Sequence, residues 1–387
     1  MTDSTARIRI GVVGLGAVAQ SVHLPLIQRR WDLFELVALA DLSPSNRAAV
    51  GAQFGVATEH LYGSLDEMLE GESLDGVVVL TSGSHGAPAL TAIEAGVAVF
   101  CEKPLAFSLA EIDALATAER SAGRPMLLLA YMKEYDPAVD ALRALLPELD
   151  SIRSVDVEVL HPSPGSQLAF ANLHPAARDV DPAVLTALRA RDSAAVDAAL
   201  GTDAPPALRA LYTDQVAGSL IHDISLLRSL LGSVTTIDSA TQWAADGHPG
   251  SLDFTGTIGG AARVHFGWHY LPDYPSYHET VRIHHATGSL ELEFTVPYLL
   301  NAPTELRIVS RSEGGESRST VRDVTEAFEV ELARFHGLVT AQTAPLSGIA
   351  EGREDLITAL RMTDALAAAQ GITLGGEAAT IARYEST

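Results

Sequence analysis

The sequence contains a single cysteine and, among its 26 lysine and arginine residues, only two lysines. One cysteine, Cys101, excludes an internal disulfide and a zinc site built from cysteines. The scarcity of lysine makes Lys103 and Lys133 candidates for special roles. An ammonium group can donate a proton at a compact point, whereas the broad guanidinium of arginine stays charged and cannot shuttle protons.

Long apolar runs and an excess of positive charge are also missing. Runs such as "DGVVVLT" and "MLLLAYM" fall well short of the roughly 20 residues that span a bilayer, and no basic, apolar leader opens the chain. The formal net charge of -23 is opposite to the basic footprint that nucleic acids and anionic membranes require. We therefore expect a soluble, cytoplasmic protein that binds neither nucleic acid nor membrane.

Two different patterns of apolar residues along the sequence predict two domains. The first part of the chain alternates continuously apolar runs with amphipathic stretches, a pattern typical of a doubly wound parallel sheet of the Rossmann type. The expected strands are 7–13, 34–40, 75–81, 97–102 and 125–131. The expected helices lie near 18–29, 44–54, 64–70, 86–95 and 108–122. We assign this α/β domain to residues 1–134.

The remaining residues, 135–387, predict an α+β domain. Alternating and β-branched runs separated by polar turns indicate a large, mostly antiparallel sheet with one solvated or interfacial face. Residues 163–213 are rich in alanine, aspartate and proline and predict a helical insertion. Further helices are expected at 217–231, near 324–342 and at 351–369.

A glycine-rich turn between the first strand and the first helix predicts a dinucleotide site. In "GVVGLGAVAQ", Gly14 permits the tight turn, Gly16 lets a pyrophosphate approach the backbone, and Ala19 lets helix and strand pack closely. Asp41 ends the second strand, where a carboxylate can accept both ribose hydroxyl hydrogens and would repel a 2′-phosphate. This favours NAD over NADP, although Arg47 nearby leaves NADP open.

With these motifs the chain resembles the Gfo/Idh/MocA oxidoreductases, the glucose-fructose oxidoreductase and inositol dehydrogenase group. The resemblance rests on the glycine loop followed by "HLPLI", on "TSGSH" after strand 75–81, and on "CEKPLA". It implies that Lys103 lies beside the nicotinamide and hydrogen-bonds the reacting oxygen, and that the peptide between Lys103 and Pro104 is cis. It also implies that Thr81, His85 and Glu102 belong to the cofactor site.

A second motif of the family departs from its pattern here. The family places an aspartate and a histidine four residues apart on one helix; His222 fits the histidine, but Gly218 stands in place of the aspartate. Asp214, two turns earlier, is one replacement. Asp223 would point about 100° away and is the weaker candidate. A carboxylate from the insertion is a third.

The resemblance implies an NAD(P)-dependent dehydrogenase that acts on a secondary hydroxyl of a sugar, inositol or related polyol. His222 would remove the hydroxyl proton and Lys103 would steady the alkoxide. Lys133 is either a substrate contact or a surface lysine. Two other functions stay open: a redox-neutral lyase, glycosidase or epimerase that works by transient oxidation, and a protein that senses NAD without turnover.

The sequence predicts an oligomer without a metal site. The histidine pairs 265/269 and 284/285 fall in alternating strands without cysteine or carboxylate at metal spacing, so we expect no metal site. The resemblance further implies a homodimer or homotetramer formed through an apolar, β-branched face of the C-terminal sheet.

Overall fold

The computed structural model describes residues 6–385 except 147, 148, 150, 176 and 245–248. It contains two compact units. The first unit comprises the chain up to Ala130, Ala171–Ala198 and Phe328–Arg353, and the second comprises Tyr131–Phe170, Ala199–Ala327 and the chain from Glu354. This division differs from the expected boundary at 134/135, because part of the insertion and a late helical segment pack with the first unit.

The first unit is built on a six-stranded parallel sheet. Its strands are β1 (Ile8–Val13), β2 (Phe34–Ala40), β3 (Leu61–Tyr62), β4 (Gly76–Val79), β5 (Ala98–Cys101) and β6 (Leu127–Leu129). The order β3-β2-β1-β4-β5-β6 confirms the predicted doubly wound fold. The chain direction across the sheet reverses between β1 and β4, the position at which such folds bind ligands at the strand carboxyl ends.

Helices connect these strands close to the predicted positions. They are a π-helix (Ala19–His23), α1 (Leu24–Arg29), α2 (Pro44–Phe54), α3 (Leu65–Gly71), α4 (Gly86–Glu94) and α5 (Leu109–Ala122), with a 3-10 turn at Thr58–His60. Local sequence sets the ends of α2. The Ser43 side chain accepts a hydrogen bond from the backbone N–H of Asn46, and Pro44 occupies the first turn. Gly55 ends the helix with φ of 74°.

The second unit is built on an eight-stranded sheet. Its strands are β7 (Ile152–His161), β8 (Val234–Trp243), β9 (Ser251–Ile258), β10 (Ala262–Tyr270), β11 (His278–His285), β12 (Gly288–Phe294), β13 (Glu305–Ser312) and β14 (Gly315–Arg322). The order is β14-β13-β12-β11-β7-β10-β9-β8. All neighbours are antiparallel except β7 and β10, which pair in parallel, so the prediction of a mostly antiparallel sheet is confirmed.

The later part of the chain is otherwise helical. Its elements are 3-10 turns at Met132–Tyr135 and Ala169–Ala171, α6 (Pro137–Leu145), α7 (Pro164–Leu168), α8 (Pro182–Leu200), α9 (Pro206–Ala210), a π-helix (Leu211–Leu220), α10 (Ile221–Leu231), α11 (Ala327–Ala341), α12 (Ile349–Ala369) and α13 (Gly376–Glu385). Within the described ranges, none of these or the earlier helices is both long enough and apolar enough to span a membrane.

One face of the eight-stranded sheet is buried and the other carries charge. A cross-strand row of alternating charge runs over β13, β12, β11, β7 and β10. It comprises Arg307, Glu291, Arg282, Asp156 and His265, each opposite the next in register. Assembly into a homodimer or homotetramer stays a prediction.

Candidate functional site

The glycine loop after β1 has the geometry of a dinucleotide cradle. Gly14 has φ of 88°, and a side chain there would begin 2.7 Å from the backbone of Leu80 and Thr81. A side chain at Gly16 would meet no atom within 4 Å. The loop therefore packs tightly on the β4 end at Gly14 and leaves open space at Gly16, where a pyrophosphate can approach the backbone. Ala19 is fully buried at the start of the following π-helix.

Asp41 ties this loop to the turn between β2 and α2. Its two carboxylate oxygens accept the backbone N–H groups of Leu15 and Ser43, each at 2.8 Å. The side-chain amide of Asn46 also donates to it, at 3.2 Å. Arg47 is held at the same turn, because its guanidinium donates to the Asp41 carbonyl at 2.6 Å. Asp41 is half-buried, so a carboxylate of fixed orientation stands at the end of β2.

Lys103 follows β5 directly and is half-buried. Its peptide bond to Pro104 is cis, as the resemblance implied. Glu102 accepts the Lys103 backbone N–H at 3.1 Å and pairs with His23 Nε2 at 2.9 Å. Burial alone would raise the pKa of Glu102, but the hydrogen bond and charge of His23 outweigh it and lower the pKa. Glu102 thus anchors the loop that carries Lys103 to the helix that follows the glycine loop.

His85 lies between two loops of this site. Its Nδ1 lies 2.7 Å from the carbonyl oxygen of Pro104, and its Nε2 lies 2.7 Å from that of Thr81. Burial lowers the pKa of His85, so the ring stays neutral and donates to one of the two carbonyls at a time. Both ring nitrogens face the protein, which makes His85 a spacer between the loops after β4 and β5.

The predicted cofactor residues of the first unit therefore lie at one edge of its sheet. Gly14, Asp41, Thr81 and Lys103 all stand at strand carboxyl ends, where parallel folds bind their ligands. Sequence reasoning missed what covers this edge.

Residues 171–198 of the insertion pack on that edge. The backbone N–H of His174 donates to Gln20 at 2.9 Å, just after the glycine loop. Asp179 accepts hydrogen bonds from Ser43 and Ser45, just after β2. Asp192 lies so close to Gly83 that any side chain there would collide with it. Three loops of the cofactor edge thus have a partner in one segment that no motif had marked.

In the second unit, His222 lies in the first turn of α10 and is half-buried. The ten residues before α10, Leu211–Leu220, form a π-helix, in which backbone hydrogen bonds join residues five apart. The predicted helix at 217–231 is thus confirmed but begins earlier, and its first part has a different hydrogen-bond register. π-Helical turns are rare and occur often at functional sites.

The π-helix gives a physical reason for glycine at position 218. A Cβ atom there would lie 2.8 Å from the carbonyl oxygen of Thr213, five residues earlier. An aspartate at 218 does not fit this backbone. Asp214 is exposed and accepts a hydrogen bond from the Thr213 hydroxyl at 2.9 Å. The α-helical spacing used to relate Asp214 to His222 does not apply across this segment.

Lys133 and Asp223 meet in a buried cluster. Lys133 donates to Asp223 at 2.9 Å and also to Glu279, and the Tyr277 hydroxyl donates to Glu279 at 2.5 Å. The Lys133 ammonium stands 5.0 Å from the centre of the Phe294 ring. Lys133 is only 5% exposed, so it is not a surface lysine.

The protonation of this cluster follows from burial and charge. Burial and the nearby Glu279 charge hold the pKa of Asp223 well above its usual range. Burial opposes ionisation of Glu279 as well, but the Lys133 charge outweighs it and lowers the pKa. The Asp223 carboxyl is thus held inside the cluster, where it accepts a hydrogen bond from Lys133.

A second ionic network fixes the same helix one turn and a half further on. Arg228 donates to Glu134 and to Asp355, each at 2.8 Å. Burial raises the pKa of Asp355 to about 7 despite the Arg228 charge. Because Lys133 and Glu134 are neighbours in one 3-10 turn, that turn holds α10 at Asp223 and at Arg228 and so orients the helix that carries His222.

In the described part of the chain, no group of three or more histidine, cysteine or acidic side chains is arranged to hold a metal ion. His265 pairs with Asp253 at 2.5 Å, and His269 with Ser251 at 3.0 Å.

Comparison with known proteins identifies a family model and relatives that match part of the chain. Residues 8–130 match the model of Gfo/Idh/MocA, described as an oxidoreductase family with an NAD-binding Rossmann fold. A putative UDP-kanosamine synthase oxidoreductase subunit of Amycolatopsis mediterranei is 39% identical over 148 residues, which are 38% of this chain and 40% of the relative. Inositol 2-dehydrogenase 3 of Saccharopolyspora erythraea is 31% identical over 140 residues, which are 36% of this chain and 40% of the relative. The matched segment thus spans two fifths of each relative's length.

Similarity of structure extends further than similarity of sequence. UDP-N-acetylglucosamine 3-dehydrogenase GnnA from Acidithiobacillus ferrooxidans superposes with a TM-score of 0.69 at 21% identity, covering 94% of this chain and 98% of that one. At this identity the likeness shows a common fold.

We expect Lys133→Met to destabilise the protein by about 3–5 kcal/mol, the usual cost of breaking a buried ion pair from one side. The variant leaves Asp223 and Glu279 buried together without a cation. Chemical unfolding of wild type and variant measures the loss. The double variant Lys133→Met/Glu279→Gln should recover part of it, and Arg311→Met, at an exposed cation of the same unit, should stay within about 0.5 kcal/mol. A single variant as stable as wild type would contradict the cluster.

We expect Gly218→Ala to lower the free energy of unfolding by about 1–3 kcal/mol, because the new Cβ has no room beside Thr213. Gly165→Ala is the matched control, since this helical glycine has open space around its Cβ position, and alanine favours a helix over glycine. If Gly218→Ala proved at least as stable as the control, the π-helical geometry would not be what requires glycine.

Proposed function

We propose that this chain, whose residues 8–130 belong to the Gfo/Idh/MocA oxidoreductase family, is an NAD-dependent dehydrogenase acting on a secondary hydroxyl or ketone of a sugar, inositol or related polyol. The observation that carries the proposal is Lys103 at the same sheet edge as an open glycine cradle. That edge joins a nucleotide site to a group able to steady an oxyanion.

Bound NAD would supply the redox chemistry by exchanging a hydride with the substrate carbon. Gly14 would keep the turn tight, Gly16 would admit the pyrophosphate, and the Asp41 carboxylate would accept hydrogen bonds from the adenosine ribose. The Asp41 charge would disfavour a 2′-phosphate at the same place, which supports NAD over NADP.

Two side chains of this chain would handle the reacting hydroxyl. His222 would remove its proton, because imidazole exchanges protons near neutral pH. The Lys103 ammonium would donate a hydrogen bond to the oxygen as negative charge develops there, in a half-buried setting that strengthens the interaction.

The substrate class is tested by a panel. Relatives carry names that refer to UDP-sugars and to inositol, so inositols, aldoses, sugar acids and UDP-linked hexoses should each be offered with NAD. A rise in absorbance of the reduced nicotinamide with one compound identifies the class. If NAD binds and no compound yields NADH in either direction, the dehydrogenase proposal is wrong.

With a confirmed substrate, we expect Lys103→Met to lower kcat roughly 100-fold or more, the usual loss of one donor to a developing oxyanion. His222→Ala should lower kcat by roughly 100-fold to 10,000-fold, as expected for a general base. Steady-state kinetics with separate kcat and KM measure both. Arg120→Met, at an exposed cation on α5, controls for loss of charge, and rates within a few fold of wild type for either site variant would contradict its role.

A further inference from the structure

We propose that Asp179 is a second determinant of cofactor choice, and that its carboxylate occupies the position a 2′-phosphate of NADP would need. The proposal rests on the proposed function, since it concerns the nucleotide that the first unit binds. It adds to Asp41 a residue from a distant segment of the chain.

The Asp179 carboxylate is bound through both oxygens at the start of α2. One oxygen accepts the Ser43 hydroxyl at 2.5 Å, and the other accepts the Ser45 backbone N–H at 2.8 Å. The two serine hydroxyls lie 3.2 Å apart. The hydrogen bonds from Ser43 and Ser45 lower the pKa of Asp179 to about 2, so the group is an anion at neutral pH. The segment thus delivers a permanent negative charge to the turn after β2.

This position adjoins the residue that would bind the ribose. The Asp41 carboxylate accepts the backbone N–H of Ser43, and Ser43 is in turn bonded to Asp179. In dinucleotide folds the acid at the end of the second strand contacts the ribose 2′-hydroxyl, and a nearby arginine accommodates a 2′-phosphate. Arg47 stands at this same turn.

The turn therefore contains the groups that a 2′-phosphate site uses: serine hydroxyls, a backbone N–H at a helix start, and an arginine. Two of these donors already serve Asp179. A 2′-phosphate would have to displace its carboxylate and would be repelled by its charge, whereas the 2′-hydroxyl of NAD brings no charge to the turn. NADP is then excluded because the Asp179 carboxylate competes with the 2′-phosphate for the same hydrogen-bond donors.

The test is the affinity of the purified chain for each nucleotide, measured by calorimetric titration at low and moderate salt. For Asp179→Asn we expect the ratio of Kd for NADP to Kd for NAD to fall about tenfold, as removal of one charge a few ångströms from a phosphate allows. The discrimination of the wild type should weaken as salt rises, and that of the variant should respond less, because salt screens exposed charges.

Asp181→Asn is the matched control. It removes the same charge two residues further on, where the Asp181 carboxylate accepts the Ala183 N–H, and it should leave the ratio within twofold. Asp179→Ala, which empties the position, should lower the ratio at least as far as Asp179→Asn. Thermal unfolding of each variant checks that the fold is retained.

The outcomes separate the two proposals. If the wild type binds NAD more tightly than NADP and both Asp179 variants keep the same ratio, the role of Asp179 is refuted and the proposed function stands. If Asp181→Asn lowers the ratio as much as Asp179→Asn, general charge explains the effect and the specific role is refuted. A wild type that binds neither nucleotide, or prefers NADP, overturns both proposals.

Discussion

Carboxylates that accept backbone N–H groups hold the loops at the carboxyl-terminal edge of the sheet in the first unit. Such loops lack a sheet ladder to satisfy their donors, and charged acceptors make the stronger hydrogen bonds. Asp41 joins the glycine loop to the turn after β2, and Glu102 holds the backbone of Lys103. Glu111 joins Ser84 to the backbone of Phe107. The edge is thus shaped by acids of the chain before any ligand contributes, which reduces the reorganisation that binding requires.

In the second unit, buried cations rather than carboxylates hold the local structure in place. Its buried carboxyls are organised around cations, with Lys133 between Asp223 and Glu279 and Arg228 between Glu134 and Asp355. Charges removed from water are tolerated only when their partners are fixed. Helix α10 is therefore held in one orientation by two networks.

The sequence predicts those features whose cause is local. Gly14, Gly16 and Asp41 are recognisable because the turn requires them at fixed spacing, and "CEKPLA" marks Lys103 at a strand end. Contacts between distant segments leave no such pattern: Ser43 and Asp179 are separated by 136 residues. The parallel pair of β7 and β10 is hidden for the same reason. The apolar pattern indicates a helix at 217–231 but neither its earlier start nor which backbone groups bond, because α- and π-helices bury similar faces.

The π-helix from Leu211 to Leu220 changes how the missing aspartate should be understood. Where hydrogen bonds join residues five apart, each turn takes up more chain than an α-turn, and a Cβ atom at position 218 would lie against the Thr213 carbonyl. The position four residues before His222 therefore lies in a backbone without room for a Cβ atom, whereas the family motif places an aspartate there. The difference at Gly218 is therefore one of backbone hydrogen-bond register as well as of side-chain chemistry.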